Sequence, residues 1–407
     1  MKQRGKGYEI ALLLVLTLAN GVVAFDRLAA TFLSPYIVAD LKLDNAQLGL
    51  LAGALSGAVA ISSFLGGQLA DRTGRRKALL IACTLVFSLG SAAGGFALGF
   101  ASLFAARFML GLAEGPMVPV SQTVMVETSA PERRGFNMGV MQMAGAFLLG
   151  AMAGPIVATQ IADVHGWRSA FFLSAVPGAV LALLMVVLVK PDRAVVRASG
   201  EATPSLIGAL RQLLGIANMR AALMVAALFT AWLVLQNVFL PVYLTSAKAL
   251  PAATMGKVLS MGGIAGVIGG AALPLLSDRI GRKPVVIGAC LAGLIAPAAM
   301  LLLPPDPLLL GAAILLGWLP LGIAPLYCAT IPTESVPPAL ATSAVGLAMG
   351  TAELLGGVLA PALAGKAADV YGLGAVFVIC AGLSLAAAAA ALMLAETAPR
   401  ALAKGSL

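Results

Sequence analysis

Four ionisable side chains lie inside long apolar stretches of the first half of this chain. Asp26 and Arg27 interrupt the first stretch, and Arg107 and Glu114 lie in the fourth. A charge at the centre of a bilayer costs about 3 kcal/mol or more, so such residues are expected to have a function. Arginine keeps its proton and binds anions, whereas a carboxyl group in apolar surroundings can gain and lose a proton. The four residues therefore combine two anion-binding groups with two proton carriers.

Their spacing predicts how they are presented. Arg107 and Glu114 are two helical turns apart, so they project from one face of a helix, with Gly111 between them expected to open space beside a cavity. Asp26 and Arg27 are adjacent and diverge by about 100°, so we expect each to pair with another helix. The alternative interpretation is a neutral buried network of ion pairs that only fixes two helices together.

The second half offers a different set of polar residues in apolar stretches. Gln236, Asn237, Tyr243 and Tyr327 are predicted to bind a solute through hydrogen bonds, and Glu353 is predicted to be a further proton site. Interhelical polar contacts are the alternative for Gln236 and Asn237. For Glu353 the alternative is a structural partner for a cation.

Composition shows which elements must position these residues. Of the 407 residues, 60% are hydrophobic and 11% charged, and the mean hydropathy is +0.99. This leaves too little polar surface for a water-soluble body, so the chain is predicted to be an integral membrane protein. The apolar stretches have the length of membrane-spanning helices and exceed that of barrel strands. Twelve spans are predicted, at about 9–38, 46–70, 78–98, 101–127, 136–162, 168–189, 221–245, 254–276, 284–303, 307–331, 340–365 and 373–395.

An internal repeat divides the spans into two sets of six. The polar segment that begins at Asp71 returns at Asp278, 207 residues later, and Glu127 returns at Glu334 with the same offset. The fold class is therefore all-α, with twelve transmembrane helices in two pseudo-symmetric six-helix bundles. We predict the bundles at 1–189 and 221–407. A cytoplasmic linker at 190–220 joins them, with a short amphipathic helix near 206–214.

The distribution of charge excludes several functions. Most of the 26 Lys and Arg residues fall on one side if the N-terminus is cytoplasmic, which places both termini in the cytoplasm by the positive-inside rule. The net charge of +9 thus reflects topology, and no nucleic-acid partner is expected. The four cysteines lack metal-ligand spacing, so no metal is expected. With no nucleophile–base pair or phosphate loop in the sequence, we expect neither enzymatic activity nor a cofactor.

Several motifs resemble those of the major facilitator superfamily over essentially the whole chain. They are Gly66-Gly67-Gln68-Leu69-Ala70-Asp71-Arg72-Thr73-Gly74-Arg75-Arg76 with its later copy, Leu103-x-x-x-Arg107-x-x-Leu110-Gly111, Gly150-x-x-x-Gly154-Pro155, and Gly166-Trp167-Arg168-Ser169-Ala170-Phe171-Phe172. The resemblance implies a transporter that works by alternating access. It also implies that the two polar hairpins form cytoplasmic latches, of which the alternative is a basic loop that only fixes topology. The latch residues are Gly67, Asp71, Arg72, Gly74, Arg75 and Glu127 in the first half, and Asp278, Arg279, Gly281, Arg282 and Glu334 in the second.

Within that superfamily, the Asp-Arg pair together with Arg107 and Glu114 resembles the anion:cation symporter branch. The resemblance implies proton sites at Asp26 and Glu114, with Arg27 and Arg107 binding or coupling a substrate carboxylate. It implies a proton-coupled importer of a small organic anion, such as a carboxylate or sugar acid, with the proton gradient in place of a cofactor. Exporters of the superfamily usually continue the fifth-span motif as Gly-Pro-x-x-Gly, whereas this chain has Thr159 and no such glycine after Pro155, which favours import.

Spinster-type carriers share the same four charges, so a proton-coupled exporter of amphipathic compounds, drugs or lysolipids is the alternative. In either case we expect a multi-pass protein of a plasma membrane, the inner membrane of a bacterium. Its partners are protons, the solute and the lipid bilayer, and a monomer is expected to suffice.

Overall fold

The computed structural model describes residues 6–73, 75–129, 137, 140–190, 206–337 and 340–398. These residues are helical almost throughout and contain no β-strand, which confirms the predicted all-α fold. The helices of the first half are α1 (Lys6–Phe32), α2 (Ser34–Leu41), α3 (Asn45–Thr73), α4 (Arg76–Gly95), α5 (Phe100–Thr128), a π-helix at Met141–Ala153, α6 (Gly154–His165) and α7 (Trp167–Leu188).

The second half begins with α8 (Leu206–Gly215), which lies where a short amphipathic helix is predicted. Three of the later spans contain a π-helical segment. The remaining elements are α9 (Ala217–Val242), a π-helix at Tyr243–Ala247, α10 (Ala252–Ile280), α11 (Arg282–Ala292), α12 (Ile295–Leu302), α13 (Pro307–Trp318), a 3₁₀ turn at Leu319–Ile323, a π-helix at Leu326–Thr330, α14 (Ile331–Ser335), α15 (Ala341–Thr351), a π-helix at Ala352–Leu359, α16 (Ala360–Tyr371) and α17 (Gly374–Leu392).

Membrane-spanning length follows directly from these elements. Among the described residues, ten helices are long and apolar enough to cross a bilayer. The other two predicted spans are formed by α5 and by the π-helix at Met141–Ala153 that continues into α6. The protein is therefore a multi-pass membrane protein.

The chain divides into two compact units. The first contains Met1–Arg197 and Pro251–Gly263, and the second contains Ala198–Leu250 and Ile264–Leu407. The division at residue 197 falls within the predicted linker. The predicted bounds of the two bundles stay a prediction. The assignment of Pro251–Gly263 to the first unit was not predicted from the sequence. Two glycines of α10 explain that assignment.

Both glycines meet the fifth span without room for a side chain. A Cβ atom at Gly256 would lie 2.6 Å from Thr159 Oγ1 and 2.9 Å from the Pro155 carbonyl oxygen, and one at Gly263 would overlap the main chain of Met152. Small residues at such positions let two helix backbones approach closely in a membrane. The first part of α10 therefore packs tightly against the π-helix at Met141–Ala153 and against α6.

Inside the first unit, α1 packs against the π-helix at Met141–Ala153, α7, α6 and α5. Its core contains Leu16, Phe87, Leu110, Met117 and Met185, all buried. Helices α3 and α5 also approach each other closely, at small residues that include Gly111 of α5. In the second unit, α9 packs against α17 and the π-helix at Ala352–Leu359.

A polar cluster fixes the ends of α2 and α7. Arg168 Nη1 lies 2.6 Å from Asp40 Oδ2, and Trp167 Nε1 donates to the same oxygen at 3.2 Å. Arg168 also donates to the Ala97 carbonyl at 3.1 Å. The hydrogen bond from Arg168 and that from Trp167 hold the pKa of Asp40 below its ordinary value. The Gly-Trp-Arg motif therefore has a local structural role, since both side chains hold the carboxylate that ends α2.

Candidate functional site

Two ion pairs connect α1 to α5 in the first unit. Arg27 Nη1 lies 2.9 Å from Glu114 Oε1, and Arg107 Nη1 lies 3.8 Å from Asp26 Oδ2. Each residue of the adjacent Asp26–Arg27 pair thus finds its partner on another helix, as their divergence on α1 predicts. The four predicted residues form one connected cluster.

The Arg27–Glu114 pair is open on one side. The Arg27 side chain is 34% exposed, whereas that of Glu114 is only 4% exposed. Glu114 therefore lies behind the guanidinium and holds it from the protein side. Among the four charged residues of the cluster, Arg27 is the one that reaches open space.

The Asp26–Arg107 pair is closed. Asp26 is fully buried, and its Oδ1 atom accepts hydrogen bonds from Ser91 Oγ at 2.5 Å and Ser174 Oγ at 2.6 Å. Arg107 is 3% exposed and donates to the main-chain oxygen of Asp26 at 3.2 Å. Its guanidinium carbon lies 4.7 Å from the centre of the Phe171 ring, at the distance of a cation–π contact. This pair cannot reach a solute without a rearrangement.

The expectation that Gly111 opens a cavity beside the charges is wrong. A Cβ atom at this position would lie 2.5 Å from the Leu55 carbonyl oxygen and 2.8 Å from Ala58 Cβ, both on α3. Ser62 Oγ donates to the Gly111 carbonyl at 3.1 Å. The space left by the missing side chain is filled by the main chain of α3, because the glycine is used for helix packing.

The predicted residues of the second unit do not form a single cluster. Gln236 is fully buried; its Oε1 accepts from Trp318 Nε1 at 3.1 Å, while its Nε2 has no hydrogen-bond partner among the residues that the structure describes. Asn237 donates to the Leu233 carbonyl of its own helix at 3.0 Å. Tyr243 donates to the Met300 carbonyl at 3.0 Å. These contacts match the interhelical alternative for Gln236, and they leave solute binding by all three residues a prediction.

Tyr327 and Glu353, the other two predicted residues of the second unit, lie near each other. The Tyr327 hydroxyl is buried and lies 3.4 Å from Thr230 Oγ1, and Glu353 is near enough to interact electrostatically with the tyrosine. Glu353 itself is half-buried on the π-helix at Ala352–Leu359. A carboxyl group in this position keeps the prediction of a proton site open.

The second-half latch is built around the Arg282 guanidinium. Glu334 accepts from Arg282 Nη2 at 3.1 Å and from Arg282 Nε at 3.4 Å, and Asp278 forms a short ion pair with Arg282 Nη1. Gly281 precedes α11 with φ = +113°, a backbone angle that favours glycine. Arg279 is exposed and lies outside this network.

Most of the first-half latch lies outside the described residues. This applies to Gly74, to the surroundings of Gly67, and to the side chains of Asp71, Arg72 and Glu127. Arg75, which precedes α4, is exposed. Its predicted role, like that of the other latch residues, stays a prediction.

A family model described as "Major Facilitator Superfamily" matches residues 16–361 of the chain. The chain belongs to the Major Facilitator Superfamily. The predicted family is therefore confirmed, and the protein is a membrane transporter and not an enzyme.

Similar proteins agree with this family. The chain is 30% identical over 280 residues to a hexuronate transporter of Bacillus subtilis, a match that covers 68% of this chain and 66% of the relative. It is 24% identical over 356 residues to a cis,cis-muconate transport protein of Acinetobacter baylyi, covering 84% of both. Among solved structures, the nucleoside transporter NupG matches with a TM-score of 0.77 at 19% identity, covering 94% of this chain and 98% of that one. The structural likeness shows the fold of the superfamily.

Sequence reasoning missed two groups of residues that contact the predicted site and latch residues. Ser91 and Ser174 contact Asp26, but buried serines in spans usually bond to their own helix, so they give no signal. Glu396 was also missed. It follows the last span and accepts hydrogen bonds from the main-chain N–H of Arg282 at 2.8 Å and of Lys283 at 3.2 Å. An acidic residue just after α17 was the only available signal.

Proposed function

We propose that this member of the superfamily imports a small organic anion, a carboxylate or a sugar acid, together with protons by alternating access. The membrane is the inner membrane of a bacterium, with both termini cytoplasmic and a monomer sufficient. The two organic-acid transporters among its relatives support the substrate class. The Arg27–Glu114 pair supports the mechanism, because it joins an exposed cation to a buried carboxylate at 2.9 Å.

Exchange of partners on Arg27 is the central step. When Glu114 takes up a proton it loses the charge that holds the guanidinium, and Arg27 becomes available to a substrate carboxylate. A guanidinium binds a carboxylate through two parallel hydrogen bonds, which favours a planar carboxylate over other anions. The substrate then supplies the negative charge that Glu114 has given up. The loaded and empty sites therefore carry the same charge around Arg27.

The enclosed pair provides a second proton site at Asp26, opposite Arg107. Glu353 is proposed as a further proton site in the second unit, and Gln236, Asn237, Tyr243 and Tyr327 as groups that bind the substrate. Each proton contributes about 1.4 kcal/mol per pH unit of gradient. Each net charge moved contributes about 2.3 kcal/mol per 100 mV of membrane potential.

The test is uptake of labelled organic acids, including hexuronates and unsaturated dicarboxylates, into proteoliposomes with an imposed inward proton gradient. We expect wild type to accumulate at least one acid against its gradient. Arg27→Ala should abolish uptake and exchange, whereas Glu114→Gln should retain exchange and lose gradient-driven accumulation. Arg211→Ala, an exposed arginine of α8, is the matched control and should behave like wild type.

Two results would count against the proposal. If folded wild type accumulates no acid but extrudes a lipophilic compound, the function is the export of amphipathic compounds. The side chains of Gln236 and Tyr243 form hydrogen bonds within the protein, to Trp318 and to the Met300 carbonyl. These hydrogen bonds favour that second candidate, because they leave fewer polar groups for a hydrophilic solute. If an acid is accumulated but Glu114→Gln is indistinguishable from wild type, the proton does not act at Glu114.

A further inference from the structure

The buried carboxylate of Asp26 lies in a compact group of oxygen atoms contributed by three helices. Ser91 Oγ on α4 and Ser174 Oγ on α7 lie 2.5 and 2.6 Å from Asp26 Oδ1 and 2.5 Å from each other. Ser91 is fully buried and Ser174 is 4% exposed. Bulk water does not reach Asp26 Oδ1, so the hydrogen bonds of this oxygen come from the two hydroxyls.

The same two hydroxyls have a second acceptor within reach. The main-chain carbonyl of Phe171 lies 3.0 Å from Ser91 Oγ and 3.0 Å from Ser174 Oγ. A serine hydroxyl carries one hydrogen, accepts through its lone pairs and rotates freely about its C–O bond. Two hydroxyl hydrogens therefore have three acceptors: the carboxylate, the carbonyl and the other hydroxyl. The group has more than one complete hydrogen-bond arrangement with no movement of a heavy atom.

We propose that Ser91 and Ser174 are positioning residues that keep Asp26 Oδ1 hydrogen-bonded in both protonation states of the carboxyl group. With Asp26 ionised, both hydroxyls donate to Oδ1. With Asp26 protonated, the carboxyl O–H donates to one serine oxygen, and the serine hydrogens turn to the Phe171 carbonyl. The proton enters and leaves Oδ1 while that oxygen and both hydroxyls keep a hydrogen-bond partner, so neither state is opposed by the loss of a hydrogen bond at these three buried atoms.

The other charged groups around α1 leave this role to the serines. Arg107 on α5 faces Asp26 at 3.8 Å without a hydrogen bond to the carboxylate, and Arg27 is turned to Glu114. The π-helix at Met141–Ala153 contributes no charged residue. The remaining acidic and basic residues of the elements packed against α1 lie towards the two ends of the helices: Asp40, Asp163, His165 and Arg168 at one end, and Lys6, Glu9, Arg76, Lys77 and Glu127 at the other. Of the uncharged titratable residues, Tyr36 and Tyr8 lie at these same two ends, and Cys83 lies on α4 about two turns before Ser91.

The test is infrared difference spectroscopy of the purified full-length protein as a function of pH. The carbonyl stretch of a protonated buried carboxyl is assigned to Asp26 by its loss in Asp26→Asn. Without the two donors the ionised form loses its hydrogen bonds, so in Ser91→Ala/Ser174→Ala we expect the midpoint of this band to move to higher pH by about one unit. Ser91→Thr retains a hydroxyl at this position, so with Ser174 unchanged it should show the wild-type midpoint.

Ser88→Ala is the matched control, since Ser88 is a buried serine of the same helix that donates to the Thr84 carbonyl at 2.9 Å. It should leave the band unchanged. An unchanged midpoint in the double alanine variant, or a wild-type spectrum without an Asp26 band at any pH, would overturn the inference. If the double variant does not fold, the single alanine variants carry the same test with half the shift.

The inference rests on the proposed function only where transport is measured: in the double alanine variant, the pH of half-maximal uptake should also move to a higher value. The infrared titration needs no substrate. A wild type that accumulates no acid would therefore reject the proposed function while the Asp26 band still decides the role of the serines.

Discussion

Replacing Gly111 by alanine tests the close approach of α3 and α5 behind the charged cluster. The new Cβ atom would lie 2.5 Å from the Leu55 carbonyl oxygen, whereas ordinary contact begins at 3.4 Å. The helices must therefore separate by about 0.9 Å. No side-chain rotation relieves the overlap, because the second obstacle is the methyl group of Ala58 at 2.8 Å.

The cost follows from these contacts. Overpacking of a well-packed core costs about 1–3 kcal/mol, and weakening the hydrogen bond from Ser62 to the Gly111 carbonyl adds about 1 kcal/mol. We expect Gly111→Ala to lower the free energy of unfolding by about 2–4 kcal/mol, or the melting temperature by roughly 4–16 °C for a unit of this size. Because α5 carries Arg107 and Glu114, uptake should fall as well.

Thermal unfolding is measured with a thiol-reactive dye on purified protein in which Cys290, Cys328 and Cys380 are replaced by alanine, since Cys83 is then the one cysteine left and is buried in the first unit, where it reacts when that unit opens. Gly382→Ala is the control. That glycine lies in α17, and outside its own helix turn no atom of the described residues lies within 4 Å of the position that the new methyl group would take. Alanine is also the better helix former. Equal melting of Gly111→Ala and Gly382→Ala would refute the close packing of α3 on α5.

Two further perturbations are predicted from the packing of single residues. Glu396→Ala should destabilise the second unit by about 1–2 kcal/mol, because the first N–H groups of α11 lose their acceptor. Although burial acts in the opposite direction, the backbone N–H groups of Ala398, Arg282, Lys283 and Thr397 hold the pKa of Glu396 below its ordinary value. Its contribution is thus complete above that ordinary value and is lost as the pH falls through the lowered one; melting curves of wild type and variant should converge in acid, and parallel curves would contradict this. Gly256→Ala should lower the melting temperature by overlap with Thr159 Oγ1, and the second change Thr159→Gly should restore part of the loss; no recovery would show that the two residues do not meet.

The architecture was open to prediction because it depends on summed properties. Long apolar stretches leave no other way to satisfy the backbone in lipid than helices, and the repeat beginning at Asp71 and Asp278 reveals the duplication. The four charged residues were found because charge in an apolar stretch is costly. Their pairing as Arg27 with Glu114 and Asp26 with Arg107 depends on the rotation of α1 about its axis, which a sequence does not specify.

Other features of the site escaped for physical reasons. Gly111 occupies a position beside two charges on the helix, but whether a glycine opens space or admits a neighbour depends on which helix approaches it. Gln236 has the chemistry of a solute-binding residue, yet its oxygen accepts from Trp318, which lies 82 positions away in sequence. The hydroxyls around Asp26 could not be found at all, because a serine in a span satisfies itself on its own helix equally well.

A π-helical segment lies in each of three spans of the second unit. Tyr243 opens the segment Tyr243–Ala247, Tyr327 lies in Leu326–Thr330, and Glu353 lies in Ala352–Leu359. Each segment holds its residues by the wider hydrogen-bond register, so a return to the α register shifts the following turns by one residue, about 1.5 Å along the axis and 100° around it. Such a slip exchanges hydrogen bonds between residues five apart for bonds between residues four apart. A change of register in these spans therefore turns a different face of the helix towards its neighbours.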